Sequence, residues 1–178
     1  MTDRLHFTGR EDADKLLVED PFALLVGFAL DQQVPVQKAF MGPYVLRERL
    51  GSLEPAAVAA ADLDPIFRER PAIHRFPGAM ATRVHALAVH VIERYDGDAA
   101  RVWTGATSTE QLHDNVAGLP GFGTMKIKAL GSVLAKRFGV KLAEPLIPWH
   151  PTLGDVDSPA ALKDYQASKK LNKPLWEA

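Results

Sequence analysis

Apolar residues recur at helical spacing along almost the whole chain. In DPFALLVGFALDQQ, Phe22, Leu25, Phe28, Ala29 and Gln32 share one face; Asp20 can cap that helix and Pro21 suits its first position. The pattern breaks near Pro35. KAFMGPYVLRERLG then predicts one or two helices ending at Gly51, and EPAAVAAAD a short one. IHRFPGAMATRVHALAVHVIERYDG breaks at Pro77 and Gly78, after which Val84, Leu87, Ala88, Val91 and Ile92 keep helical register up to the turn at Asp96 and Gly97. Thr107 and Glu110 have capping-box spacing ahead of QLHDNVAG. From about Thr124, Ile127, Leu130, Val133, Leu134 and Phe138 form another buried stripe, with Gly139 as a left-handed stop. The segment after Pro145 is proline-rich, and DSPAALKDYQASKK predicts a polar last helix capped by Asp157 or Ser158. No alternating strand pattern appears, so the expected fold class is all-α.

Composition narrows the class. The chain has 178 residues, 47% of them hydrophobic, enough for one sizeable core in a single domain or two small lobes. It holds no apolar run of about 18 residues, and MTDRLHFTGREDADK is charged, unlike a signal peptide; a cytoplasmic protein is expected. With no cysteine, disulfides, thiol catalysis, zinc-cysteine sites and cysteine-held iron–sulfur clusters are excluded. The six histidines show no HExxH-type spacing, so no catalytic metal is expected. A formal charge of -1 means that any nucleic-acid footprint must be local.

One stretch supplies such a footprint. LPGFGTMKIKAL, residues 119–130, joins a helix ending near Val116 to one starting near Thr124, which makes residues 117–125 a helix–hairpin–helix turn. Gly121 and Gly123 permit unusual backbone angles and close approach of a phosphate, and the amides of the turn and of the next helix face that anion. Between Asn115 and Ala143 lie Lys126, Lys128, Lys136, Arg137 and Lys141 and no acid, the local charge a DNA backbone requires. The plainer alternative is a tight connector followed by a solvated basic face.

Two motifs taken together carry a resemblance. PFALLVGFALDQQVPVQKA at 21–39, and LPGFGTMKIKAL about 85 residues later, resemble the long Gln-ended helix and the LPGxG hairpin of the helix–hairpin–helix DNA glycosylase superfamily, the fold of endonuclease III-like and alkylated-base glycosylases. FRERPAIHRFPGAMATRVHAL falls where that family has its middle helices, so the likeness spans roughly residues 18–140. The resemblance implies a bilobed all-helical body over 1–156, a polar C-terminal helix and tail over 157–178, and a DNA duplex held across a cleft. It further implies that the target nucleotide is flipped into a pocket while a side chain fills the gap. Gln33 falls at the gap-filling position with Gln32 beside it; the alternative is a polar helix end bonding backbone carbonyls. Leu119, Gly121, Phe122, Gly123, Thr124 and Lys126 would meet DNA. An alkali cation, Na or K, would carry over to the carbonyls of Ala117, Leu119 and Phe122.

Catalytic residues transfer less well. Bifunctional relatives carry a nucleophilic lysine where this chain has Met125; Lys126 comes one place later, about 100° round the helix, which turns it from pocket to backbone and makes a phosphate contact or a solvated lysine its expected role. Monofunctional relatives need a carboxylate to stabilise the sugar cation and help activate water. The family's aspartate would fall at Ala143, Glu144 or Pro145, so Glu144 is one candidate, and Asp155 and Asp157 in TLGDVD are others if IPWHPTLG folds back into the cleft. Glu144 could equally be a surface residue and Asp157 a helix cap. Met125 would border the base pocket. Trp149 and His150, in the stiff PWHP loop, would line it, with core packing the competing role for Trp149.

Two functions therefore stand. One is a monofunctional DNA glycosylase of base excision repair, monomeric, cytoplasmic and nucleoid-associated on double-stranded DNA. The other is a catalytically silent relative that binds damaged or distorted duplex. The base recognised depends on pocket shape, which these motifs do not encode.

Overall fold

The computed structural model describes residues 2–178, and every regular element among them is helical. Ten α-helices run α1 Glu11–Glu19, α2 Pro21–Leu30, α3 Val36–Leu50, α4 Pro55–Ala60, α5 Leu63–Arg68, α6 Pro77–Tyr95, α7 Arg101–Thr104, α8 Thr109–Ala117, α9 Thr124–Phe138 and α10 Pro159–Glu177. Two 3-10 turns, Lys141–Leu146 and Leu153–Asp155, separate α9 from α10.

α2 is the axle of the molecule. All nine residues from Phe22 to Leu30 are buried, so this helix is apolar on every side, as expected of an element surrounded by others. Asp20 starts it, accepting hydrogen bonds from the amides of Phe22 (2.9 Å) and Ala23 (3.4 Å). α3 lies close against it because two glycines admit side chains: Phe40 sits over Gly27 and Leu30 over Gly42, and a methyl at either position would overlap them. α3 is one helix with Pro43 inside it, and Gly51 ends it with φ 87.

Polar anchors hold the flanks. The buried Asp14 carboxylate accepts from the amides of Phe7 and Thr8 and from the Thr8 hydroxyl, tying the N-terminal segment to α1. Arg49 of α3 donates to the carbonyls of Ile66, Glu69 and Pro71 at 2.7–2.9 Å and pairs with the Glu69 carboxylate, which fastens the stretch after α5.

The predicted elements are present with some shifts. α5 and α7, of six and four residues, give no periodic signal in the sequence. α8 begins one residue later than the Thr107/Glu110 pair implied: Ser108 is the cap, accepting from the Gln111 amide, while the Gln111 side chain accepts from the Thr107 amide. Of the two capping candidates for α10, Ser158 is the cap. Trp149, for which core packing was the competing expectation, is 73% exposed; the buried tryptophans are Trp103 and Trp176. No helix among the described residues is long and apolar enough to cross a membrane.

Candidate functional site

The hairpin follows from four residues. Leu119 accepts a hydrogen bond from the Phe122 amide at 3.1 Å, Pro120 takes the second position of the turn and Gly121 the third with φ 80, the signature of a type II turn. Leu119 and Phe122 are buried and act as roots, whereas Gly121 and Gly123 are exposed at the tip. Gly123 stands at the cap of α9 in ordinary extended geometry, φ -96, so only Gly121 uses the left-handed freedom expected of both. No side chain caps α9, so its first amides are left open to an incoming acceptor. The Ala117, Leu119 and Phe122 carbonyls lie in this turn, and that of Leu119 already accepts the Phe122 amide.

A second turn faces the hairpin. After Leu30, the chain reverses through Asp31, Gln32 and Gln33, with Gln33 in the left-handed region at φ 57. His74 fixes this reversal from below. Its Nε2 donates to the carbonyls of Leu30 (3.0 Å) and Gln32 (3.1 Å), and its Nδ1 accepts from the Phe76 amide (2.9 Å). Burial pushes the ring's pKa down, which keeps it in the neutral tautomer that these bonds require. Gln32 and Gln33 are thereby left exposed, and Gln33 stands beyond the helix end rather than on it. Arg83 of α6 joins the two turns: its Nη1 donates to Gln32 Oε1 at 2.6 Å, and its Nε lies where a Cβ on Gly121 would come within 2.6 Å.

Beneath these turns is a partly enclosed cavity of about 80 Å³. α2 contributes Phe28 and the turn Asp31; α9 contributes Met125 and Lys126; the 150–153 loop contributes His150; and α10 roofs it with Tyr165, Lys169 and Trp176. The loop reaches α9 because Gly154 packs on the Ser132 backbone with no room for a side chain.

Lys126 therefore belongs to the cavity, and its expected outward, solvated position is corrected. Its Nζ donates to the Ala29 carbonyl (3.1 Å) and lies 5.7 Å from the Phe122 ring centre. Burial, reinforced by the charge of Arg83, lowers its pKa to about 8, with Asp31 acting the other way. The simple rotation argument failed because Met125 and Lys126 both border a cavity that wraps the start of α9. Asp31 is a carboxylate that pattern reasoning missed. Burial raises its pKa against the pull of Lys169 and Lys126, and burial likewise raises that of Tyr165.

The three carboxylates expected from sequence lie elsewhere. Asp155 completes a capping box with Thr152, accepting the Thr152 amide at 2.9 Å, and its other oxygen is ion-paired with Lys136. Burial alone would raise its pKa, but the Lys136 ammonium and the Thr152 amide hold it below the usual value. Glu144 is exposed in the first 3-10 turn, and Asp157 is exposed just before the Ser158 cap. None of the three lines the cavity. Trp149 stands outside it as well, touching His150 edge-on at 5.4 Å.

No family model, curated protein or solved structure matches the chain. The case for function thus rests on the site itself. Among the described residues no three His, Asp or Glu side chains gather as a metal site, and the sequence has no cysteine to hold a cluster. A larger open hollow, about 220 Å³ beside Asp62, Asp64 and His85, offers no comparable convergence, because Arg68 already holds the Asp64 carboxylate at 2.7 Å.

Proposed function

We propose that the protein binds double-stranded DNA through the two facing turns and acts as a monofunctional base-excision glycosylase. The observation that carries this reading is Asp31: a half-buried carboxylate one residue before the exposed Gln32–Gln33 turn, in a cavity shared with Met125 and Lys126 at the start of the hairpin helix. The open amides at the start of α9 and the tip glycines receive backbone phosphate, while Gln33 enters the gap left by the extruded nucleotide. Gln32, held by Arg83, borders that gap.

Hydrolysis of a glycosidic bond needs a group to steady positive charge on the sugar, a route for the water proton and a proton for the leaving base. Asp31 supplies the first two: its carboxylate faces the sugar and takes a proton as water oxygen bonds to C1′. The bond between C1′ and the base nitrogen breaks with its electron pair leaving on the base, and the Lys126 ammonium donates the proton the base requires. A lysine with pKa about 8 is charged at neutral pH and gives up its proton more readily than an ordinary one. Ion-paired Asp155 has no part in this scheme.

The cavity's size favours a second reading. At about 80 Å³ it is far below the roughly 300 Å³ at which ligand pockets begin. A cavity this small is compatible with duplex binding without cleavage.

Single-turnover incubation with duplexes each carrying one modified or mispaired base, scored for alkali-labile abasic sites, tests both readings. Base release lost in Asp31→Asn and kept in Asp155→Asn supports the glycosylase. Salt-dependent duplex binding with no release from any substrate selects the silent binder, and absence of duplex binding overturns both.

A further inference from the structure

The last helix brings positive charge to the cavity on one face. Lys169 and Lys173 of α10 line it together with Lys126 and Lys128 of α9, so four ammonium groups from two separate helices meet a single acid, Asp31. The other lysines of α10, Lys163 and Lys170, are exposed and lie outside it. The whole chain carries a formal charge of -1, so this concentration of one sign is local. Like charges gathered around one opening repel one another, and an anion seated among them turns that repulsion into attraction.

α10 is held so that this face stays turned to the cavity. Leu162 is buried near its start, and Gln166 exchanges a reciprocal pair of amide hydrogen bonds with Gln37 of α3, at 3.2 and 2.9 Å. Trp176 is buried near its end, its indole stacked on the His150 ring with centroids 5.2 Å apart. Residues 162, 166, 169, 173 and 176 succeed one another at steps of three or four, which puts Lys169 and Lys173 on the anchored face between its fixed points. The Lys169 ammonium lies 5.8 Å from the Tyr165 ring centre. Burial raises the Asp31 pKa, and of the two cations that oppose this Lys169 acts ahead of Lys126, as expected of a side chain directed at the cavity. Among the described residues only Lys173 of the four makes an ion pair, an exposed one to Glu177 at 3.6 Å, and a pair of that kind is weak enough to yield to a phosphate.

We infer that the cavity-side face of α10 is a phosphate-binding surface, on which Lys169 and Lys173 hold the DNA backbone beside the phosphates received by the hairpin. This deepens the DNA reading above and rests on it for the identity of the polyanion. Four residues of helix separate the two lysines by about 6 Å along the axis, whereas charges along one DNA strand recur about every 3.4 Å, so the pair suits separate phosphates of an extended polyanion rather than a single small ion. Ammonium groups on flexible stems act as point charges and leave base edges unread, so the contacts position the duplex without selecting its sequence. The C-terminal helix is thereby a second grip on the backbone, carried by an element outside the two facing turns.

The test uses the full chain and a fluorescein-labelled duplex, with affinity read by anisotropy between about 50 and 200 mM salt. Each lysine–phosphate contact contributes about 0.9 to the slope of log affinity against log salt. The double variant Lys169→Gln, Lys173→Gln should therefore flatten that slope by about 1.8, so that the wild type loses about tenfold more affinity than the variant across the range. Lys163→Gln with Lys170→Gln removes the same charge from the rest of α10 and should keep the wild-type slope. Lys169→Arg with Lys173→Arg preserves the charge and should keep it as well, which separates phosphate contact from loosening of the helix. Duplex binding whose slope falls equally in both glutamine pairs, in neither, or in the arginine pair too would overturn the α10 surface and leave the DNA reading intact. Inorganic polyphosphate is titrated in parallel. Its binding through Lys169 and Lys173, with no duplex binding, would support the phosphate surface and remove the DNA reading. A wild-type protein that binds neither polyanion would overturn both.

Discussion

His74 and His150 are both buried, at 1% and 5% exposure, and they are treated in opposite ways. Every polar atom of the His74 ring is used: two carbonyls of the 30–32 turn and the amide of Phe76, two residues along, meet on it, and they pin the exposed Gln32–Gln33 turn in a backbone form that residues other than glycine seldom adopt. His150 bonds only to the carbonyl of its own neighbour and leaves the other nitrogen bare. The His74 contacts bridge two stretches of chain, whereas the His150 bond ties only adjacent residues.

Removing His74 should break the contrast most severely. His74→Ala leaves the Leu30 and Gln32 carbonyls and the Phe76 amide without their partner and should cost about 3 kcal/mol, read from the urea midpoint. Trp176→Ala should cost less, about 2 kcal/mol, since it truncates a buried ring near the end of a terminal helix rather than in the central core. Gly121→Ala should cost about 1 kcal/mol through its left-handed φ of 80 and crowding of Arg83, and should weaken duplex binding. His150→Phe keeps the stack and deletes the unpartnered Nε2 together with the Nδ1 bond to the Pro151 carbonyl, two losses that offset in part, so its stability should stay within about 1 kcal/mol of the wild type.

Acid titration sharpens the same comparison. The His74 pKa is lowered in the folded protein, so below the ordinary value of 6.5 the unfolded chain binds the proton more readily than the native one. Its contribution is complete above about pH 6.5 and is lost as the pH falls through the depressed native value. The stability difference between wild type and His74→Ala should therefore narrow on acidification, as denaturation midpoints measured across pH 5 to 7.5 would reveal.

The helices were legible wherever a cap and a long apolar stripe coincide, as in α2 with Asp20 and Pro21, or α9 with its stop at Gly139. The hairpin was legible because its turn chemistry is compressed into Leu119–Phe122. Asp31 was not, since at a helix end it reads as an ordinary polar residue. Its meaning depends on Lys126 and Lys169, about 95 and 138 positions away, meeting it in space. Asp155 misled for the mirror reason: TLGD carries its own partners, Thr152 locally and Lys136 across the loop, and these consume the carboxylate. Trp149 and His150 are adjacent in sequence, yet one is exposed and the other buried, because the stiff PWHP segment turns them to opposite environments.

Arg83 has a mechanical consequence. One guanidinium, 51 positions from Gln32 in the chain, braces the glutamine turn on one side and lies against the hairpin tip on the other. α6 is thus a common footing for two loops that belong to different helices, and the spacing between them is set by the length of a single side chain. A shorter strut there would leave both turns intact and let the gap between them drift.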